Sequence, residues 1–315
     1  MRKRIGLTVE LTSLALVVAV LAVVTLIAPA SDTKQAAPFA PAILGGQPPG
    51  ALVLAEEDKD LAVALALRPQ GKSLLAVVTV LDQNGTGASG LKAMITVRTA
   101  DNATVSATAE PGTLGTYQAT LATSSRPVSA TVTMNGAGSS SRPLSFTLPA
   151  AWPPKPADAL MTKVDRAYAR LKTLVTRERL ASNPTDAITS VYKAVAPDSL
   201  SIDSSNGVQA IILGDRRWDN VGGGWRQSNQ SPPLKAIAPY WSGIVQDPVL
   251  IGATSLNGRA VWIVSFAAPQ FPAFFQIKVD KKTSRVLDLR MTASAHFMHH
   301  RYGPFNAPLE INPPP

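Results

Sequence analysis

The chain has 315 residues, of which 45% are hydrophobic, 6% aromatic and 16% charged, and its net charge is +9. This length allows about two domains, and the absence of cysteine excludes disulfides, attachment of a lipid through a cysteine and Cys-ligated iron–sulfur clusters. No basic run is interleaved with aromatic residues as in nucleic-acid-binding proteins, so we expect the charge to serve solubility or attraction to an anionic membrane, with no nucleic acid as partner.

The N-terminus predicts a membrane anchor. Arg2, Lys3 and Arg4 precede an almost wholly apolar stretch, residues 11–28, and eighteen helical residues rise roughly 27 Å, enough to cross the hydrocarbon core. The positive flank predicts a cytoplasmic N-terminus. We therefore expect a single-pass protein of the cell membrane with its bulk extracytoplasmic. A cleavable signal peptide is the alternative, because Ala28-Pro29-Ala30 resembles a cleavage site; either way, residues 1–30 form the first segment.

A Pro- and Gly-containing linker, residues 31–50, leads into a segment that we interpret as all-β, residues 51–148. Short aliphatic runs alternate there with turn signals, and seven strands in about 100 residues indicate an Ig-like β-sandwich. The predicted strands cover 61–67, 74–81, 93–98, 104–109, 116–122, 129–134 and 144–148. Residues 149–157, with four prolines, predict a stiff linker between two separable domains.

The remainder, residues 158–315, predicts an α+β domain. Apolar residues recur at helical spacing from Leu160 to Val175, although 173–181 is equally consistent with a first strand. Two hairpin turns are expected, at Leu256-Asn-Gly-Arg259 and at 280–284. The predicted strands cover 199–203, 208–213, 224–227, 249–256, 259–266, 274–280 and 285–295.

All three histidines lie in one window, His296, His299 and His300, with Met298 among them. Side chains alternate along a strand, so His296, Met298 and His300 are expected on one face. Imidazole and thioether groups suit copper better than magnesium or calcium. We therefore name His296, Met298, His299 and His300 as candidate metal ligands with copper as the possible cofactor; a solvated strand end is the alternative interpretation.

Two resemblances concern the N-terminal half. Leu7-Thr-Val-Glu10, followed by the apolar stretch and Ala28-Pro29-Ala30, resembles the last membrane helix of CopD-type copper-resistance proteins. The segments 77–85 and 112–119 resemble the YtkA/FixH-like β-sandwich, although the Gly-Trp typical of that type is absent. These resemblances imply copper handling or resistance and a copper-transport membrane protein as partner.

A third resemblance covers residues 158–315. Ile212-Leu-Gly-Asp-Arg-Arg-Trp218 and Ala260-Val-Trp-Ile-Val-Ser-Phe266 are two of the pieces that resemble the LolA/LppX-like lipoprotein carriers. The resemblance implies a half-barrel, an antiparallel sheet closed by helices, with an apolar cavity for a lipid or acyl ligand between the sheet and the helix at 158–171.

The sequence contains no Gly-x-Ser-x-Gly elbow, phosphate-binding loop, His-Glu-x-x-His or dinucleotide fingerprint. We therefore expect a protein that is not an enzyme. The first hypothesis is a membrane-anchored extracytoplasmic binding protein accessory to copper handling, and the alternative is a lipid or lipoprotein-binding carrier.

Overall fold

The computed structural model describes residues 48–84, 86–113, 115–123, 125–183, 186–234, 237–239, 241–242, 244–268, 273–294 and 296–315. The predicted anchor, residues 11–28, lies outside these ranges. In the part of the chain that is described, no helix combines the length and apolar character needed to cross a membrane.

The first sheet has eight strands, which confirms each of the seven predicted runs and adds a strand before them. Its order is β1-β2-β3-β6-β5-β4-β7-β8, and every pairing is antiparallel. The strands are β1 Leu52–Asp58, β2 Leu61–Gln70, β3 Ser73–Leu81, β4 Lys92–Thr99, β5 Thr104–Pro111, β6 Thr116–Ala122, β7 Pro127–Asn135 and β8 Leu144–Thr147.

The second sheet has twelve strands in the order β15-β14-β13-β12-β11-β10-β20-β19-β18-β17-β16-β9 and curves toward a barrel. Its only described helix is α1 Asp158–Tyr168. The strands are β9 Lys155–Pro156, β10 Thr173–Asn183, β11 Asp186–Val195, β12 Ser199–Ser204, β13 Gln209–Leu213, β14 Arg216–Asn220, β15 Trp225–Asn229, β16 Gln246–Leu256, β17 Arg259–Ala268, β18 Ala273–Asp280, β19 Val286–Ala293 and β20 His296–Phe305.

Helix α1 ends at Tyr168 and β10 begins at Thr173, so the interpretation of 173–181 as a first strand is confirmed. Thr173, Val175 and Thr176 are β-branched, and such residues favour a pleated strand over a helix. Met161, Val164 and Tyr168 of α1 pack on one face of the sheet, which we call the inner face. Closure of the half-barrel by several helices is not observed among the described residues.

The two expected hairpins are confirmed. Asn257 and Gly258 connect β16 to β17 with φ values of 49° and 76°, and two consecutive positive φ values define a type I′ turn. The turn from β18 to β19 begins at Asp280, whose carboxyl accepts hydrogen bonds from the Thr283 amide and hydroxyl. The predicted strand 285–295 corresponds to β19, which ends at Ala293, and the histidine window begins a separate strand, β20.

The two sheets pack directly on each other. Strand β2 is buried on both faces: Leu61, Val63, Leu65 and Leu67 fill the sandwich core, and its alanines point to the second sheet. Small alanines let the two backbones approach closely, which explains the continuous apolar run in β2. The contact, which we call the interface cluster, includes Val53, Ala62, Ala64, Ala66, Leu75, Val77, Ala181, Ala267, Phe274 and Phe297.

Residues near the predicted linker also join the two sheets. Strand β9, at 155–156, pairs with β16, so part of the linker is a strand. Val249 and Ile251 of β16 belong to the sandwich core cluster. The Ser265 hydroxyl of β17 donates to the Val53 carbonyl of β1. The domain boundaries stay predictions, but separating the sheets would expose apolar side chains of both.

Candidate functional site

The inner face of β10 and β20 carries a buried polar network. His300 Nε2 lies 2.6 Å from Glu178 Oε2, and the two side chains are only 5% and 4% exposed. The Tyr192 hydroxyl donates to Glu178 Oε1 over 2.9 Å. His300 Nδ1 lies 3.0 Å from the Tyr302 hydroxyl. Each member is therefore hydrogen-bonded in the interior, as buried polar groups require.

The strand register explains why these residues meet. Glu178 of β10 is paired with His300 of β20 on one side and with Ser190 of β11 on the other. Thr176, two residues earlier on the same face of β10, is paired with Tyr302 and Tyr192. Side chains of paired residues share a face of the sheet. Burial raises the pKa of the Tyr192 hydroxyl, and the Glu178 charge adds to that increase. Tyr192 therefore acts as a hydrogen-bond donor to Glu178.

Aromatic rings cover this network from the helix side. Tyr168 of α1, Trp241 and Tyr302 contact one another edge to face, with ring centroids 5.9–6.4 Å apart. The Tyr168 hydroxyl is buried without a hydrogen-bond partner among the described atoms, and burial raises the pKa of that hydroxyl. The cluster closes the network off from solvent above β10 and β20.

The four predicted metal ligands are divided between the two faces of β20. His296, Met298 and His300 are buried, whereas His299 is opposite Arg179 on the outer face. His299 Nε2 lies 2.7 Å from Asp288 Oδ2. Both nitrogens of His300 already have partners. In the described part of the chain no three His, Cys, Asp or Glu side chains form a metal-binding group; binding of copper stays a prediction.

His296 differs from the other two histidines. Its Nδ1 lies 3.0 Å from the Ser294 carbonyl, which can only accept, so Nδ1 carries the proton. Its Nε2 is buried without a partner among the described residues. Burial lowers the pKa of His296, against smaller opposing effects of the Ser294 carbonyl and Glu178. The neutral ring therefore directs an unprotonated nitrogen into the interior.

Beyond β10 the inner face becomes apolar and less covered. Ile188, Tyr192 and Ala194 of β11 and Leu200 of β12 are half-buried, and the register places them on the same face as Glu178. The row continues through buried Ile202, Ala210 and Ile212 to Arg217 of β14, whose guanidinium pairs with Asp219 at 2.6 Å. This apolar strip on β11 to β13 therefore lies between the Glu178–Tyr192 pair and the Arg217–Asp219 ion pair.

A separate cavity of about 340 Å³ lies on the outer face, between β1 and β8 of the sandwich and β16–β19. Its walls are mixed: Leu54, Phe146 and Ile263 are apolar, whereas Glu56 and Arg290 form an ion pair of 3.2 Å. Its volume is within the range of small-ligand sites. Sequence reasoning predicted neither this cavity nor the role of Glu178, although apolar–polar alternation along β10 places Glu178 with Leu174 and Leu180.

No protein-family model and no curated protein matches the sequence, so the CopD-type and YtkA/FixH-like resemblances stay predictions. Several solved structures are similar to about half of this chain, at 9–13% identity. Lipoprotein LppX from Mycobacterium tuberculosis is 13% identical over 49% of this chain and 97% of its own, with a TM-score of 0.38. LprF from Mycobacterium bovis is 12% identical over 51% and 98%, with a TM-score of 0.39. A LolA superfamily protein from Nitrosomonas europaea is 12% identical over 50% and 96%, with a TM-score of 0.26.

Proposed function

We propose that this protein is a non-enzymatic binding protein that carries a lipid or acyl-chain ligand on the inner face of its second sheet. The observation that supports this most is the strip of half-buried apolar side chains on β11 and β12. Burying apolar surface is favourable by roughly 25 cal/mol per Å². An apolar ligand that covers the half-buried side chains of this strip would therefore bind favourably.

The boundaries of the strip favour an amphiphilic ligand. An extended chain along the strip would meet the Glu178–Tyr192 pair at one end and the Arg217–Asp219 pair at the other. Small-ligand sites are typically apolar with a few placed polar groups that fix orientation. The predicted extracytoplasmic location and membrane anchor belong to the same proposal, because such a carrier would load from a lipid surface.

The test measures binding of a fluorescent fatty acid to the full chain. Ile188→Asp places a charge within the strip, and we expect it to weaken binding roughly tenfold or more. Thr189→Asp is the matched control, since Thr189 is the next residue of β11 and is exposed on the opposite face. Equal affinities for the two variants would show that the ligand does not use the inner face.

One observation favours copper binding as a second candidate function. The unprotonated Nε2 of His296 is buried on the same face as Met298, and an imidazole with a thioether is a donor pair that suits Cu(I). Titration calorimetry of the full chain with Cu(I), compared with the His296→Ala/His300→Ala variant, tests it. We expect the heat of Cu(I) binding to be lost in the variant, and identical heats for the two proteins would show that these histidines do not bind copper.

A further inference from the structure

The cavity between the two sheets lies where the two edges of the first sheet face each other. Strands β1 and β8 are the outermost strands of that sheet, and residues 54–56 of β1 and 145–147 of β8 line the same cavity. Strands β16–β19 of the second sheet close it from the other side. Ligand sites are common at such boundaries between packed units, and an edge strand adds main-chain N–H and C=O groups that no neighbouring strand pairs.

Hydrogen bonds at the two edges show which main-chain groups face the cavity. The Ser265 hydroxyl donates to the Val53 carbonyl, so Val53 directs its main-chain groups away from β2. Residues two apart on a strand point their N–H and C=O groups to the same side, so Ala55 presents both groups to the cavity. The Leu148 amide, just beyond β8, donates to β7. By the same alternation, Ser145 directs its main-chain groups away from β7 and toward the cavity.

Two polar side chains of the second sheet also line the cavity. They are Gln276 of β18 and Thr292 of β19; Gln276 is half-buried and Thr292 is only 7% exposed. Among the residues that the structure describes, neither side chain has a hydrogen-bond partner. Buried polar groups normally have one, so the partner of this amide and this hydroxyl must come from the molecule that fills the cavity.

An ion pair at the mouth makes the site electrically balanced. Arg290 Nη2 lies 3.2 Å from Glu56 Oε2, and the two side chains are 52% and 35% exposed. A guanidinium has five N–H donors and a carboxylate has two acceptor oxygens, so this single contact leaves donors and acceptors available. An anionic ligand would meet the charge of Glu56, and a cationic ligand would meet that of Arg290. The balance favours a neutral ligand that both donates and accepts hydrogen bonds.

The volume and the apolar walls limit the ligand further. A volume of about 340 Å³ holds roughly eleven water molecules at about 30 Å³ each, which suits one small ring with its substituents and excludes a long acyl chain. The apolar walls are Leu54, Phe146, Ile251, Ile263 and Phe274. A sugar ring has this combination of properties, because its hydroxyl groups both donate and accept and the C–H groups on its faces are apolar.

We propose that this cavity binds a neutral sugar of one ring. Its hydroxyl groups bond to the Ala55 main chain, to Gln276 and Thr292 and to the Arg290–Glu56 pair, and its C–H face packs on the apolar walls. The site lies on the outer face of the second sheet, so it is separate from the inner-face strip and does not rest on the proposed lipid binding. Because both sheets supply walls, bound sugar stabilises their packing.

The first experiment titrates the full chain with glucose, galactose and mannose, and with the uronic acid and the amino sugar of each, followed by saturation-transfer NMR. We expect at least one hexose to bind, and its two charged analogues to bind roughly tenfold or more weakly, because each brings a charge beside the like charge of Glu56 or Arg290. The wild-type protein is used throughout, so the result does not depend on how a variant folds. Absence of binding by all three hexoses, or tighter binding of a charged analogue, would overturn the proposal.

Two matched variants locate the sugar. Gln276→Leu/Thr292→Val keeps the shape of the wall but removes its polar groups, and we expect roughly tenfold weaker binding of the hexose, since each lost hydrogen bond is worth about 2- to 12-fold. Gln118→Leu/Thr120→Val makes the same changes on the exposed face of β6 and should bind like the wild type. Unchanged affinity in the first variant, or equal losses in both, would mean that the sugar does not occupy this cavity.

The inner-face strip is tested separately in the same proteins. Ile188→Asp should weaken binding of the fluorescent fatty acid and leave hexose binding unchanged, whereas Gln276→Leu/Thr292→Val should do the reverse. Failure of the sugar site is thereby separated from failure of the proposed fatty-acid binding, because the two ligands are measured with different probes on opposite faces of the sheet. Loss of hexose binding in Ile188→Asp would place the sugar on the inner face and contradict the proposal.

Discussion

The buried Glu178–His300 pair gives the sharpest test of the inner-face geometry. Glu178→Ala removes the acceptor of two hydrogen bonds, from His300 Nε2 and from the Tyr192 hydroxyl. Both donors are then left in an interior where the pair is at most 5% exposed. An unsatisfied buried group costs about 1–3 kcal/mol, and loss of one member of a buried pair costs about 3–5 kcal/mol. We expect Glu178→Ala to lower the free energy of unfolding by about 3–5 kcal/mol.

Urea unfolding followed by tryptophan fluorescence is the assay, because the Trp241 ring lies 5.9 Å from Tyr302 at the edge of the network. Glu178→Gln is the isosteric control. Its carbonyl oxygen can accept from Tyr192 and its amide can donate to His300 Nε2, so its cost should be about 1 kcal/mol. Arg179→Ala, on the exposed face of the same strand, should stay within about 0.5 kcal/mol of the wild type.

A double-mutant cycle isolates the pair itself. If Glu178 and His300 interact as the 2.6 Å contact indicates, the costs of Glu178→Ala and His300→Ala should be non-additive by about 1–3 kcal/mol. Additive costs, together with a loss below about 1 kcal/mol for Glu178→Ala, would refute the reasoning. The network would then be solvated and could not position a ligand.

Three further predictions follow from particular residues. Burial lowers the pKa of His296 in the folded state, so as the pH falls below about 6.5 the imidazole is protonated first in the unfolded chain. The free energy of unfolding should therefore decrease with falling pH until the pKa of the folded state is reached. His296→Gln should flatten this slope in unfolding curves measured at several pH values, and an unchanged slope would contradict a lowered pKa for His296. Phe274→Ala in the interface cluster should cost about 3–5 kcal/mol, whereas Val221→Ala, at a side chain 69% exposed, should cost little; similar losses would mean that the two sheets do not pack in solution. Protease added to intact protoplasts should digest the chain beyond residue 31, and full protection would rule out the predicted topology.

Sequence reasoning recovered the strands of the first sheet because their burial follows a local pattern. Apolar runs separated by Gly, Asn and Pro signals mark strand ends without reference to the rest of the fold. It missed β1, β9, β11 and β14. Leu52–Asp58 contains three acidic residues, and Asp186–Val195 lacks a clean alternation. These two segments are strands because each pairs with its hairpin neighbour, β1 with β2 and β11 with β10.

The histidine window also has one feature that the sequence predicts and others that only the structure shows. The sequence by itself placed His296, Met298 and His300 on one strand face, because alternation is a property of the backbone. It could not show that Glu178, 122 residues earlier in the chain, supplies the partner of His300, or that His299 is paired with Asp288 on the other face. Partners of this kind are chosen by strand register, which depends on the whole sheet.

The chain's composition and periodicity therefore determined an aliphatic, mainly β protein, its turns and the position of its single described helix, since these depend on residues close together in sequence. Tertiary structure alone decided two things: the packing of the two sheets through alanines of β2 and the polar network around Glu178. Each requires side chains from strands far apart in sequence to meet at a spacing of about 5 Å, and only the long-range pairing order of the sheet sets that spacing.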